Sequence, residues 1–130
     1  MSDMRTPLNR ARGNGSAKTG TGHFWIQRLT ALANLPLSLF FVASLVALTG
    51  TDYMTAHGYL ANPLVAILLL MLVLSGVWHM CIGMQVIIED YVHGPSAKFF
   101  SLILNNFFSA AIALICLYAV LKISLYSQPI

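Results

Sequence analysis

The sequence contains three long intervals without a single Asp, Glu, Lys or Arg, at residues 29–51, 53–88 and 99–121. A helix that rises about 1.5 Å per residue needs roughly 20 apolar residues to cross a bilayer core about 30 Å thick. Each interval contains such a run, so the sequence predicts three transmembrane helices, at about residues 25–48, 63–90 and 99–124. The expected fold class is therefore all-α, an integral membrane protein built on a helical bundle.

The small number of charges limits what the chain can do alone. Only 8% of its 130 residues are charged, whereas a soluble domain has roughly a quarter. Three helices with short links use nearly everything after Arg28, which leaves no room for a soluble catalytic domain or a nucleotide-binding fold. Any active centre must therefore lie among helices and be shared with a partner. We expect no catalytic residue on this chain and no nucleic-acid partner.

The basic residues predict how the chain crosses the membrane. Residues 1–22 are polar and rich in Gly, Ser, Thr and Asn, so we expect a flexible tail before the three-helix anchor domain at residues 23–130. The first link contains no Lys or Arg, whereas Lys98 lies in the second. Five of the seven basic residues precede or open the first span, namely Arg5, Arg10, Arg12, Lys18 and Arg28. The positive-inside rule then predicts a cytoplasmic N-terminus and second link, with the C-terminus outside.

His79 is the residue that most needs an explanation, because it lies well inside the second span. A titratable group at this depth is costly unless it is paired, ligated or facing a cavity. One interpretation is a hydrogen bond to a neighbouring helix. The other is a ligand, since a neutral imidazole binds iron well, including haem iron.

Small residues lie on either side of His79 along the same helix face. At about 100° per residue, one narrow stripe contains Ser75, His79, Gly83, Val86 and Asp90. Small residues one turn away on both sides are typical of close helix packing. Beside an imidazole, the same space is also suited to the face of a flat macrocycle, and the stripe alone does not separate the two interpretations.

Polar residues gather where the second span ends. Asp90 is eleven residues beyond His79, or roughly 16 Å along the helix axis, and Glu89, Tyr91 and His93 lie beside it. One interpretation is a solvated helix end with an interfacial tyrosine. The other is a site where the Tyr91 hydroxyl donates a hydrogen bond to a carbonyl oxygen while nearby groups manage protons.

Arg28 opens the first span on the same predicted side of the membrane, five residues after His23. A basic residue in this position is explained by positive-inside anchoring. A guanidinium is also suited to the carboxylates of a bound cofactor, because its planar fork matches their geometry.

The segment from His79 through Gly83 to Asp90, Tyr91 and Val92 follows the pattern H-x3-G-x6-DYV, which resembles the small hydrophobic anchor subunits, of D type, of succinate dehydrogenase, respiratory complex II. The Arg28-Leu-Thr-Ala31 sequence looks like the R-x-T-A of the same family. The resemblance extends from about His23 onward.

The resemblance implies a role for each candidate residue. His79 would be one axial ligand of a haem b, with the other supplied by a histidine of the larger, C-type anchor. Tyr91 would bind a ubiquinone carbonyl, with Asp90 beside it, and Arg28 would lie near the haem propionates. His23 is displaced by about one residue from the family's histidine near the propionates. Ser75 and Gly83 would pack beside the haem.

The resemblance also implies cofactors, partners and a location. Haem b would be shared with the C-type cytochrome b anchor, and ubiquinone would be the substrate, reduced with electrons from succinate. Flavin and iron–sulfur clusters would belong to a flavoprotein subunit and an iron–sulfur subunit, since this chain has no motif for either. The expected location is a bacterial inner membrane, crossed several times.

Two other functions remain open at this point. A fumarate reductase anchor that oxidises quinol has similar spacing of these residues. A non-redox three-helix protein, such as a transporter or assembly subunit, would use His79 as a structural residue only. A non-redox protein would be colourless and would not co-purify with dehydrogenase subunits.

Overall fold

The structure is a computed structural model that describes residues 4, 6–8, 13 and the continuous stretch 20–126. That stretch contains four helices, which we name α1 (Gly20–Leu48), α2 (Tyr53–Ala61), α3 (Pro63–Tyr91) and α4 (Pro95–Leu125). The three long helices are long and apolar enough to cross a membrane. The predicted all-α fold with three spans is confirmed, and the chain is a multi-pass membrane protein. The tail predicted at residues 1–22 lies largely outside the described residues, and its last three residues already belong to α1.

A proline lies in the first turn of both α3 and α4, and α3 also has a side-chain cap. The side chain of Asn62 accepts a hydrogen bond from the backbone amide of Leu64 at 2.9 Å, and Pro63 occupies the first turn of α3, where its missing amide costs nothing. α4 begins at Pro95, four residues earlier than predicted, and here too the proline occupies the first turn, although Gly94 before it provides no side-chain cap. The Lys98 ammonium group donates to the backbone carbonyl of Glu89 at 2.8 Å, so this first turn is tied to the end of α3.

The sequence did not predict α2, whose nine residues lie within what was expected to be a link. Helices this short are marginal on their own, and this one is held by its surroundings. The hydroxyls of Tyr59 and Ser44 are 2.7 Å apart, which connects α2 to α1. In the first turn of α2, the Thr55 hydroxyl donates to the carboxylate of Asp52, the residue that precedes the helix, and this hydrogen bond lowers the pKa of Asp52 below its usual value.

α3 is the central helix, and it packs against both α1 and α4. A polar contact joins α3 and α4, because the buried Asn105 side chain of α4 donates to the backbone carbonyl of Cys81 on α3 at 2.9 Å. Few apolar side chains are buried among the described residues, whereas bulky apolar groups are exposed along all three long helices. Helices satisfy their own backbone hydrogen bonds, so such surfaces are suited to lipid or to other apolar helices.

Candidate functional site

His79 contacts α1 through one of its two ring nitrogens. Its Nδ1 lies 3.0 Å from the hydroxyl oxygen of Thr30, and the side chain is half-buried. Within the described part of the chain, the other ring nitrogen, Nε2, has no hydrogen-bond partner. The structure therefore contains the helix-to-helix hydrogen bond that the first interpretation of His79 requires. It also leaves free the nitrogen that a ligand role requires.

The small residues on either side of His79 contact the same face of α1. The Ser75 hydroxyl donates to the backbone carbonyl of Thr30 at 3.3 Å. A side-chain carbon added at Gly83 would lie 3.5 Å from Nε2 of Gln27. Ser75 and Gly83 therefore let α1 and α3 approach closely on both sides of the histidine, as small residues do in membrane bundles.

Two buried acceptors lie on α1 beside Thr30. Gln27 and Asn34 are three residues before and four residues after it, which places all three on one helix face. The side-chain oxygens of Gln27 and Asn34 are buried and have no hydrogen-bond partner among the described residues. An unpaired buried polar group is costly. The face of α1 near His79 therefore carries two side-chain oxygens whose lack of a hydrogen bond is unfavourable.

Asp90 and Tyr91 end α3 and are exposed, with 77% of the Tyr91 surface accessible. Neither side chain makes a hydrogen bond or ion pair within the described stretches. By contrast, Glu89 is engaged, since its carboxylate accepts a hydrogen bond from the Gln85 side chain at 2.8 Å. Of the polar residues at this end, Asp90 and Tyr91 are thus free to contact another molecule.

Arg28 and His23 line a cleft between α1 and α3, together with Phe24, Gln27, Ile82 and Val86. The Arg28 guanidinium carbon lies 4.8 Å from the centre of the Phe24 ring, a cation–π contact, and the described residues give it no carboxylate partner. Its charge is therefore available to an anionic group entering the cleft.

The structure brings some of the predicted residues together and leaves others apart. Ser75, His79 and Gly83 meet α1 along one seam, as their shared stripe predicts. Arg28 and His23 line one cleft, whereas Asp90 and Tyr91 lie outside it. Thr30 and Gln27 were not among the predicted site residues. Thr30 was nevertheless visible in the sequence, as the third residue of the Arg28-Leu-Thr-Ala31 motif.

The space around Gly83 predicts how substitutions of different size affect thermal stability. Gly83→Ala adds one carbon at 3.5 Å from Gln27, an ordinary contact, and we expect unchanged thermal stability of the purified protein. Gly83→Leu extends a branched side chain beyond that contact into the seam between α1 and α3, and we expect the overpacking to cost about 1–3 kcal/mol. The measurement is the unfolding midpoint in detergent for both variants. Equal midpoints for Gly83→Leu and the unmodified protein would show that α1 and α3 are not closely packed here.

Comparison with known proteins supports the resemblance seen in the sequence. The model of the family described as succinate dehydrogenase/fumarate reductase transmembrane subunit matches residues 2–121. A succinate dehydrogenase hydrophobic membrane anchor subunit from Rickettsia bellii is 36% identical over 90 residues, which cover 69% of this chain and 72% of that protein. The subunit of the same name from Paracoccus denitrificans is 28% identical over 120 residues, or 92% of each chain.

A third relative comes from Reclinomonas americana. This succinate dehydrogenase membrane anchor subunit is 32% identical over 92 residues, which cover 67% of this chain and 75% of that protein. No solved structure gives a significant match. The family model covers nearly the whole chain, including α1, α2, α3 and most of α4. The chain therefore belongs to the succinate dehydrogenase/fumarate reductase transmembrane subunit family.

Proposed function

We propose that this membrane anchor subunit of succinate dehydrogenase holds a haem b through His79 and forms part of a ubiquinone reduction site at Tyr91 and Asp90. The observation that carries the proposal is the single helix α3. It presents a half-buried histidine with a free Nε2 at mid-depth and two unpartnered polar side chains at its end. His79 and Asp90 are roughly 16 Å apart along the helix axis.

The residues around His79 fit a haem. A haem ligand needs one unprotonated ring nitrogen and a hydrogen bond that orients the other, and the contact between Thr30 and Nδ1 supplies the second requirement. A haem held by His79 would supply one-electron redox chemistry. Arg28 and His23 line a cleft on the Asp90 side of His79, where Arg28 is suited to pair with the haem propionates.

Tyr91 and Asp90 fit the wall of a quinone site. The Tyr91 hydroxyl donates a hydrogen bond to a quinone carbonyl oxygen and so orients the ring and supports the negative charge that develops there during reduction. Asp90 lies beside it as a group able to exchange a proton. Both are exposed in this chain alone, so the remaining walls come from other subunits.

The partners proposed for this chain are a C-type cytochrome b anchor, an iron–sulfur subunit and a flavoprotein subunit. The exposed apolar surfaces of the three long helices support an additional helical partner. The basic residues before and within α1 support an N-terminus on the cytoplasmic side of a bacterial inner membrane, with the quinone site at the same boundary.

One experiment tests the proposal as a whole. The membrane complex is purified through a tag on this chain, its subunits are identified, and a reduced-minus-oxidised absorption spectrum is recorded. We expect a haem b spectrum, co-purifying dehydrogenase subunits and ubiquinone reduction driven by succinate. A colourless preparation without those subunits would contradict the proposal in favour of a non-redox protein. Predominant quinol oxidation by fumarate would instead identify a fumarate reductase anchor.

A further inference from the structure

The Thr30 hydroxyl sits among three polar atoms, which together determine where its proton lies. Its oxygen is 2.7 Å from the backbone carbonyl oxygen of Ile26, 3.1 Å from that of Gln27 and 3.0 Å from Nδ1 of His79. The hydroxyl has one proton to donate. Carbonyl oxygens can only accept, whereas Nδ1 can donate or accept depending on the tautomer of the ring.

Donation to a backbone carbonyl is the arrangement that these distances favour. The 2.7 Å separation from the Ile26 carbonyl is the usual length of a hydroxyl hydrogen bond. If Thr30 donated to the ring instead, its oxygen would face two carbonyl oxygens at 2.7 and 3.1 Å with no proton between them, and the contacts would be repulsive. The Thr30 oxygen therefore accepts a hydrogen bond from the ring, and the proton lies on Nδ1.

We infer that Thr30 is a positioning residue that holds His79 in the tautomer with its proton on Nδ1 and its free lone pair on Nε2. The inference rests on the haem-ligand role proposed above for His79. A metal-bound imidazole needs this tautomer, and a hydrogen bond at the distal nitrogen also makes the ligating nitrogen more basic. A more basic ligand stabilises ferric iron more than ferrous iron.

The environment of Thr30 keeps the hydroxyl in place. Its backbone carbonyl accepts the hydrogen bond of Ser75, which lies one turn before His79 on α3, at 3.3 Å. Two hydrogen bonds between α1 and α3 thus meet at Thr30, one through its side chain and one through its backbone. These contacts with both helices hold the Thr30 hydroxyl next to the imidazole, so the side chain does not rotate freely.

The test compares two substitutions of Thr30 in the purified complex. Thr30→Val keeps the shape and removes the hydroxyl, whereas Thr30→Ser keeps the hydroxyl and removes the methyl group. For Thr30→Val we expect about tenfold weaker haem retention. We also expect a tenfold change in the ferric-to-ferrous equilibrium towards ferrous iron, which corresponds to a rise of about 59 mV in midpoint potential. Thr30→Ser should match the unmodified complex in both measurements.

Thr49→Val is the matched control, because this threonine directly follows the last residue of α1 and its hydroxyl also donates to a backbone carbonyl of that helix, that of Leu45, at 2.9 Å. It should leave haem content and potential unchanged. An unshifted potential in Thr30→Val, or an equal shift in Thr30→Ser, would overturn the inference. If Thr30→Val does not assemble, Thr30→Ala replaces it, and an unshifted potential in that variant has the same meaning.

His79→Ala, prepared in parallel, separates this inference from the proposed function. If it retains the haem with an unchanged spectrum, the ligand role of His79 is wrong. If it loses the spectrum while Thr30→Val keeps the potential of the unmodified complex, only the positioning role of Thr30 is wrong.

Discussion

We expect replacement of His79 by alanine to remove the haem b absorption of the purified complex. Alanine has no nitrogen to offer the iron, and the histidine proposed on the partner anchor is then left as a single protein ligand. Loss of supporting interactions around a metal typically costs 10–100-fold in affinity, so loss of the ligand itself should cost at least about 100-fold. The measurement is the reduced-minus-oxidised spectrum, normalised to the amount of this chain.

His57→Ala is the matched control for this experiment. His57 lies on α2, where its ring contacts Tyr53 with 5.7 Å between ring centres, and it does not belong to either of the two helices that form the seam at His79. The same chemical change there should leave the spectrum intact. An unchanged haem spectrum in His79→Ala would refute the ligand role. Equal losses in the two variants would point to failed assembly, which the yield of the other subunits would reveal.

The three spans could be predicted from the sequence because a bilayer imposes a length and excludes charge. Few other folds satisfy both conditions, so charge-free intervals of this length have one explanation. α2 could not be predicted in the same way. Its nine residues include Gly58 and show no long apolar run, and its stability depends on Tyr59 reaching Ser44 on another helix.

The candidate site was predictable in part for a similar reason. A histidine within an apolar span is rare enough to be noticed, and the stripe from Ser75 to Gly83 follows from helix geometry alone. The partner of His79 is different, because contact between Thr30 and His79 depends on how α1 and α3 are rotated against each other. Threonine is also common in membrane helices as a donor to its own backbone. Only the three-dimensional arrangement shows that this threonine also contacts the imidazole.

We expect substitution of Tyr91 by phenylalanine to slow ubiquinone reduction and to leave the other activities of the complex unchanged. The change removes one hydroxyl and keeps the ring, and this hydroxyl has no partner among the described residues. A hydrogen bond to an oxygen that gains negative charge is worth about 1.5–3 kcal/mol, so we expect ubiquinone reduction to slow by roughly 10–100-fold. Reduction of an artificial dye by succinate is assigned by the proposal to the partner subunits, so we expect it to remain unchanged, as should the haem spectrum.

Tyr53→Phe is the control that the chain itself offers. Tyr53 and Tyr91 are both 77% exposed. Tyr53 begins α2, in the link that precedes α3, whereas Tyr91 is the last residue of α3. Loss of a hydroxyl at Tyr53 should leave both activities unchanged. Equal ubiquinone turnover in the two variants would place the quinone elsewhere. A parallel loss of dye reduction in Tyr91→Phe would show that the substitution disturbs assembly, because the proposed role of the Tyr91 hydroxyl concerns the quinone alone.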